Sequence, residues 1–175
     1  DAFLAAPELK EYRFMLENLK RSKPYVLDEK SEHMLSMVGN FAGGAQEIFT
    51  MLNNADLRFG EVEHEGKTYP LTHASYIELM QNEDRALRKK VYETFYDEFE
   101  QHINTIAATY GTSVKKDVFY AQVRGYESAM AKALFADNVP EAVYSSLIKA
   151  VHDNFDTMHA YVKLRSEILG IADLK

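Results

Sequence analysis

Histidine and carboxylate are the side chains here with the widest chemical reach, and their spacing limits what they can do. The chain has six histidines and 27 acidic residues in 175. Only His64 is followed directly by glutamate, Glu65. A zinc helix of the H-E-x-x-H kind needs a second His four residues on, so that both imidazoles point the same way. The Glu beside the first His then activates the bound water. Thr68 stands where that second His belongs, and His64-Glu65-Gly66-Lys67-Thr68 reads as a turn, not a helix. The motif is absent.

A second constellation is His152, Asp156 and His159, at i, i+4 and i+7. That spacing puts three side chains near one helix face, where they can in principle hold a divalent metal. It equally describes a polar face opposite Val151, Phe155 and Met158. Glu29/His33 and Glu98/His102 are i,i+4 pairs and read as surface pairs rather than acid–base dyads. Arg124-Gly125-Tyr126 offers a third kind of chemistry. A Gly inside a predicted helix weakens it and marks a kink or a close backbone approach. Arg124 and Tyr126 beside it either face a cleft, holding peptide carbonyls or a carboxylate, or tie two helices together and fill the core.

Other chemistries are excluded. There is no cysteine, hence no disulfide, thiolate metal site or cysteine nucleophile. Ser128, in Gly125-Tyr-Glu-Ser-Ala129, lacks the closing Gly of a nucleophile elbow, and no G-x-x-x-x-G-K-[ST] cradles a triphosphate. A net charge of −7 argues against nucleic acid, which needs clustered Lys and Arg. The dense basic step Arg85 to Lys90 is flanked by Glu83, Asp84 and Glu93 and reads as a solvated helix face. No apolar run reaches the ~18 residues that span a bilayer, so no membrane partner is expected. The N-terminus lacks the basic and long apolar parts of a signal peptide and an initiator Met. A chain trimmed at that end, of cytoplasmic origin, is the expectation.

The elements that must position these residues are mostly helices. Pro7 suits a first helical turn, and Leu9, Tyr12, Phe14, Leu16 and Leu19 follow at roughly helical spacing, predicting a helix over 7–22. Asp28 caps a second helix with Met34, Leu35 and Val38 on its apolar face. Gly39, Gly43 and Gly44 interrupt it and predict a junction with close backbone packing, and a third helix follows through Ile48, Phe49 and Leu52. Residues 57–71 center on Gly66 between β-prone segments and predict a hairpin, which Pro70 keeps at an edge.

Ser75-Tyr-Ile-Glu78 fits a capping box for a short helix, and Asn82 starts a longer one. Its stripe runs Leu87, Val91, Phe95, Phe99, Ile103 and Ile106, with Gly111 as its weak point. Phe14, Tyr92, Phe95, Tyr96 and Phe99 are expected in the core. Pro140 opens a final helix carrying Val143, Leu147, Val151, Phe155, Met158, Val162, Leu164 and Ile168, with Gly170 at its end. The fold class is mainly α: a bundle of long antiparallel helices with one small β-hairpin at about 57–71.

Three blocks, Leu71-Thr-His-Ala-Ser-Tyr76, Arg124-Gly-Tyr-Glu-Ser-Ala129 and Asn138-Val-Pro140, occur in an order that resembles the oligoendopeptidase F family of M3-type zinc peptidases. The opening Phe3-Leu4…Pro7-Glu-Leu-Lys-Glu-Tyr-Arg13 and the close Leu164-Arg-Ser-Glu-Ile-Leu-Gly170 also look like it. The resemblance implies a mainly helical enzyme whose narrow channel admits short peptides. Its zinc helix and its third ligand, a Glu, lie downstream of Lys175, so no catalytic residue carries over. In that frame residues 1–70 are an N-terminal helical domain, and residues 71–175 begin the peptidase domain as channel wall, with Arg124 and Tyr126 as channel candidates.

It follows that zinc belongs to the parent enzyme, with no cofactor expected here, and that the chain alone is inactive. Its expected partners are an oligopeptide substrate, the remaining catalytic portion and, through exposed apolar faces, itself. The alternative is a free-standing helical module that binds peptides or proteins without cutting.

Overall fold

A computed structural model describes residues 2–172 and 174. The chain divides into two compact units, Asp1–Phe119 and Tyr120–Lys175.

The first unit begins with a short helix, α1 (Ala2–Ala5). Pro7–Tyr12 then winds as a 3-10 helix, and only Arg13–Ser22 (α2) is α-helical, so the helix expected over 7–22 is α in its second part alone. Its apolar side is only partly covered: Leu9 and Leu16 are half-buried, while Tyr12, Phe14 and Leu19 are exposed, Phe14 by 77%. Asp28 caps α3 (Glu29–Ala42), its carboxylate accepting the Ser31 N–H at 3.1 Å and the Ser31 hydroxyl at 2.6 Å. These two donors hold the Asp28 carboxyl below the usual range, the hydroxyl foremost. Gly43 separates α3 from α4 (Gly44–Met51), while Gly39 lies within α3. A Cβ at Gly39, Gly43 or Gly44 would meet nothing within 4 Å, so the close backbone packing expected there is not found.

After α4 a single π-type turn, closed by the Leu57 N–H to Leu52 C=O bond at 2.9 Å, leads to the hairpin. Strands β1 (Glu61–His64) and β2 (Lys67–Pro70) pair antiparallel, with Val62 opposite Tyr69 and His64 opposite Lys67. Glu65 (φ 49°) and Gly66 (φ 76°) are both left-handed. That is the two-residue loop whose twist matches the strands it joins. The ladder is shorter than the expected 57–71, though the Leu71 N–H to Gly60 C=O bond extends it by one rung.

Thr72 caps α5 (His73–Leu79), three residues before the expected Ser75. The Thr72 hydroxyl accepts the Ser75 N–H, and the Ser75 hydroxyl accepts the Thr72 N–H at 2.8 Å, which closes a capping box without Glu78. Asp84, not Asn82, caps α6 (Arg85–Gln101); Asn82 supports it by accepting the Asp84 N–H at 2.8 Å.

The core sits where the hairpin, α5 and α6 meet. Leu52, Leu57, Phe59, Val62, Leu71, Leu87, Val91 and Phe95 are buried together, with Tyr76, Leu79, Met80, Phe99 and Ile106 packed against them. Leu87 is 2% exposed and Val91 0%. The Phe59 and Phe95 rings stack at 4.2 Å and Tyr76 stacks on Phe95 at 4.3 Å, an arrangement aromatic pairs favor. Tyr92 and Tyr96, expected inside, lie on the exposed side of α6 because they fall outside the Leu87–Val91–Phe95 stripe.

The helix expected to run on from α6 breaks at His102 and resumes as α7 (Ile103–Val123), passing through Gly111 unbroken. The cause is local. The His102 Nδ1–H donates to the Glu98 carbonyl at 2.9 Å, the acceptor its own backbone N–H would use in an α-helix. That N–H turns to Phe99 O instead, at 3.1 Å. The same device divides the last helix. The Asn154 amide donates to Ala150 O at 2.8 Å while its N–H bonds Val151 O, separating α9 (Glu141–Asp153) from α10 (Phe155–Leu169). The two breaks share one backbone shape, φ/ψ of −105°/10° and −110°/10°.

In the second unit α8 (Ala129–Phe135) precedes α9, with Ser128 as its cap. Asn138 (φ 54°) ends α8 and Gly170 (φ 64°) ends α10, both left-handed as helix stops require. Every residue from Glu141 to Arg165 is exposed, although Val143, Leu147, Val151, Met158 and Val162 recur at helical spacing. The fold is mainly α with one small hairpin.

Candidate functional site

Arg124-Gly125-Tyr126 is not inside a helix; it is the stop at the end of α7. The Tyr126 N–H bonds Ala121 O at 2.9 Å and the Gly125 N–H bonds Gln122 O at 3.1 Å. This pair of bonds is the Schellman arrangement, and it requires a left-handed residue at its corner. Gly125 supplies it, with φ 77°. No atom lies within 4 Å of where its Cβ would be, so the glycine answers to backbone conformation and not to a close approach. Arg124 and Tyr126 are half-buried. The Tyr126 ring meets Phe135 of α8 edge-on at 5.3 Å. The corner therefore fixes the Tyr126 side chain against α8 while Arg124 flanks the turn.

His152, Asp156 and His159 lie on both sides of the Asn154 break, His152 in α9 and the others in α10. The Phe155 ring sits 5.0 Å from His152 and 6.0 Å from His159. The structure does not bring the three ligand atoms into one group. Of the i,i+4 pairs, His102 and Glu98 approach to 3.7 Å, and Glu98 Oε1 also accepts the Arg58 N–H at 3.3 Å, which makes this a structural contact.

A cluster that spacing alone did not single out lies at the hairpin tip. His64 Nε2 stands 2.6 Å from Asp84 Oδ2, joining the end of β1 to the cap of α6 across 20 residues of sequence. The other Asp84 oxygen accepts the Ala86 N–H at 2.7 Å and the Leu87 N–H at 3.3 Å. The hydrogen bond from His64, then those from Ala86 and Leu87, hold the Asp84 carboxyl below the ordinary carboxylate range. The His64 side chain is 13% exposed and that of Asp84 38%. Glu65 completes the group: one ligand atom from each of the three residues lies within 4.8 Å of the others. The sequence signals were separate, a His-Glu pair in a turn and an Asp before a helix, and nothing local links them.

The open groove lined by Gln46 and Phe49 of α4 and Ile106, Thr109, Tyr110 and Ser113 of α7 carries hydroxyls but no base. Its buried Thr109 hydroxyl is spent on the Ile106 carbonyl at 2.8 Å.

The family model described as Oligopeptidase F matches residues 1–59, and that described as Peptidase family M3 matches residues 78–175, more than half of the chain. The chain belongs to peptidase family M3.

The group B oligopeptidase PepB of Streptococcus agalactiae is 40% identical over 173 residues, which are 98% of this chain and 29% of that protein. Oligopeptidase PepF of Bacillus subtilis is 35% identical over 98% of this chain and 26% of its own length. The crystal structure of oligoendopeptidase-F from Enterococcus faecium superposes with a TM-score of 0.89 at 33% identity, covering 98% of this chain and 34% of that one. The chain thus spans about a third or less of each of these relatives.

Zinc of the H-E-x-x-H kind needs two imidazoles converging from one helix. The only three-ligand group among the described residues holds a single His, on a hairpin, so these residues do not fit that donor set.

Proposed function

We propose that this chain is the structural, channel-forming part of a zinc endopeptidase that hydrolyses short peptides, and that it is inactive alone. The observation that carries this reading is a family match over nearly the whole chain in a sequence with no H-E-x-x-H. On this reading residues 1–70 belong to the N-terminal helical domain and residues 71–175 begin the peptidase domain. The core that joins Leu52 and Phe59 to Leu87 and Val91 then packs the junction between them. The zinc ligands lie outside these 175 residues.

Exposure supports the partner reading. The apolar side chains of α9 and α10 are uncovered, as expected of a surface that packs on the catalytic remainder and, without it, associates with itself. Arg124 and Tyr126, beside the helix stop at Gly125, are the channel candidates, a guanidinium being a group that holds peptide carbonyls or carboxylates. No helix among the described residues is long and apolar enough to cross a membrane; a cytoplasmic setting is part of this proposal.

The test is hydrolysis of a quenched-fluorescent oligopeptide by this chain, alone and mixed with the downstream portion of an M3 peptidase, with and without chelator. The expected result is no cleavage alone and chelator-sensitive cleavage on mixing. Cleavage by the chain alone overturns the reading. Peptide binding with no cleavage in any mixture points instead to a free-standing module.

A further inference from the structure

We propose that His64, Glu65 and Asp84 form a binding site for one divalent transition-metal ion at the tip of the hairpin. The inference is independent of the peptidase reading and rests on three features of the local structure.

The first is reach. Two ligands about 2.0 Å from a tetrahedral ion stand about 3.3 Å apart. The His64 Nε2 to Asp84 Oδ2 distance is 2.6 Å and all three ligand atoms lie within 4.8 Å of one another. The chelating separation lies inside that interval, so changes of about 1.5 Å or less in these separations bring the atoms to it. The second is orientation. Asp84 Oδ1 is held by the Ala86 and Leu87 N–H groups, leaving Oδ2 as the oxygen aimed at His64. Backbone partners that fix a ligand in this way are the usual outer support of a metal site. The third is the donor set. One imidazole with two carboxylates suits zinc, cobalt or manganese better than magnesium or calcium, which take all-oxygen shells.

The metal takes the place of the proton between Nε2 and Oδ2. The imidazole keeps a proton on Nδ1; starting from the imidazolium, one proton leaves to solvent, and water fills the remaining coordination positions. Three cations stand near the site: Lys67 pairs with His64 across the ladder, Lys90 Nζ is bound to Glu63 O at 3.2 Å, and the Arg88 guanidinium is bound to Asn82 O and Glu83 O. The positive end of the α6 dipole opposes a cation here, which is why the second carboxylate, Glu65, is needed. The ion would staple the hairpin to the start of α6.

The test is titration of the tag-free, chelator-stripped full chain with Co2+, read by its visible d–d absorption, followed by displacement with Zn2+. The expected result is saturation at about one equivalent, with binding lost in His64→Asn and weakened at least about tenfold in Glu65→Gln, while His152→Ala binds as the parent does. Glu65 is exposed at a turn, so Glu65→Gln leaves folding intact and isolates the ligand effect. No saturable absorption overturns the proposal, as does binding unchanged in both site variants or lost in His152→Ala.

Discussion

The hairpin and α6 on one side, and α9–α10 on the other, carry the same kind of sequence and meet opposite fates. Leu87, Val91 and Phe95 recur every four residues and are buried. Val143, Leu147 and Val151 recur every four residues and are exposed, Leu147 by 63%. The difference is supply. Around α6 the chain provides Phe59 and Val62 from the hairpin side and Leu79 and Met80 from the α5 side to cover the stripe. No described residue does this for α9 and α10. Periodicity reports that a face is apolar; it does not report what covers it.

The sharpest way to break this comparison is truncation on each side. Leu87→Ala should cost about 2–5 kcal/mol, the range for emptying a closed core site. Leu147→Ala should stay within about 0.5 kcal/mol. Urea unfolding of both variants measures the contrast, and equal losses would mean that α9 is covered after all.

Next in size, Gly125→Ala should cost about 1–2 kcal/mol, the strain of a left-handed residue with a side chain. The site has room for the methyl group, so a thermal melt that shows no loss would mean that the α7 stop is not held in this shape.

The contribution of Asp84 is set by pH. Its folded carboxyl lies below the ordinary value, so the unfolded chain takes up the proton first as pH falls. The advantage over Asp84→Asn should be constant at neutral pH, shrink below about pH 4, where an unperturbed carboxylate titrates, and vanish once the folded carboxyl protonates. Denaturation across pH 2–7 (roughly that window) checks it; a difference that grows toward acid would reverse the assignment.

A smaller effect is expected at Asn154→Ala. Without the amide that takes Ala150 O, α9 and α10 should join, and slower amide exchange at 154–157 would record it, with stability changing by no more than about 0.7 kcal/mol. Finally, Leu147→Glu with Val151→Glu should lower self-association in sedimentation velocity without changing the unfolding midpoint. A folding defect instead would place this face in a core.

Much of the local structure was legible. Asp28, Pro140 and Gly170 mark their helix boundaries because capping and stopping are settled within a few residues. Glu65-Gly66 placed the hairpin for the same reason. The two helix breaks do not show in the apolar stripe, although their cause is also local. Gly111 costs about 1 kcal/mol, which a long helix absorbs; the agents are His102 and Asn154, whose side chains compete for a carbonyl four residues back. Of the candidate site, the Arg124-Gly125-Tyr126 corner was visible as a disturbance, though as a weak helix and not as a helix stop.

The order of the helices, several of their ends, the hairpin and the lack of a peptidase zinc motif are determined by the sequence alone, because each depends on groups within about five residues. Tertiary structure decided which apolar stripes are covered, and it brought His64 to Asp84. Both depend on contacts between distant segments, and a stripe or a carboxylate has the same local chemistry whether or not a partner arrives.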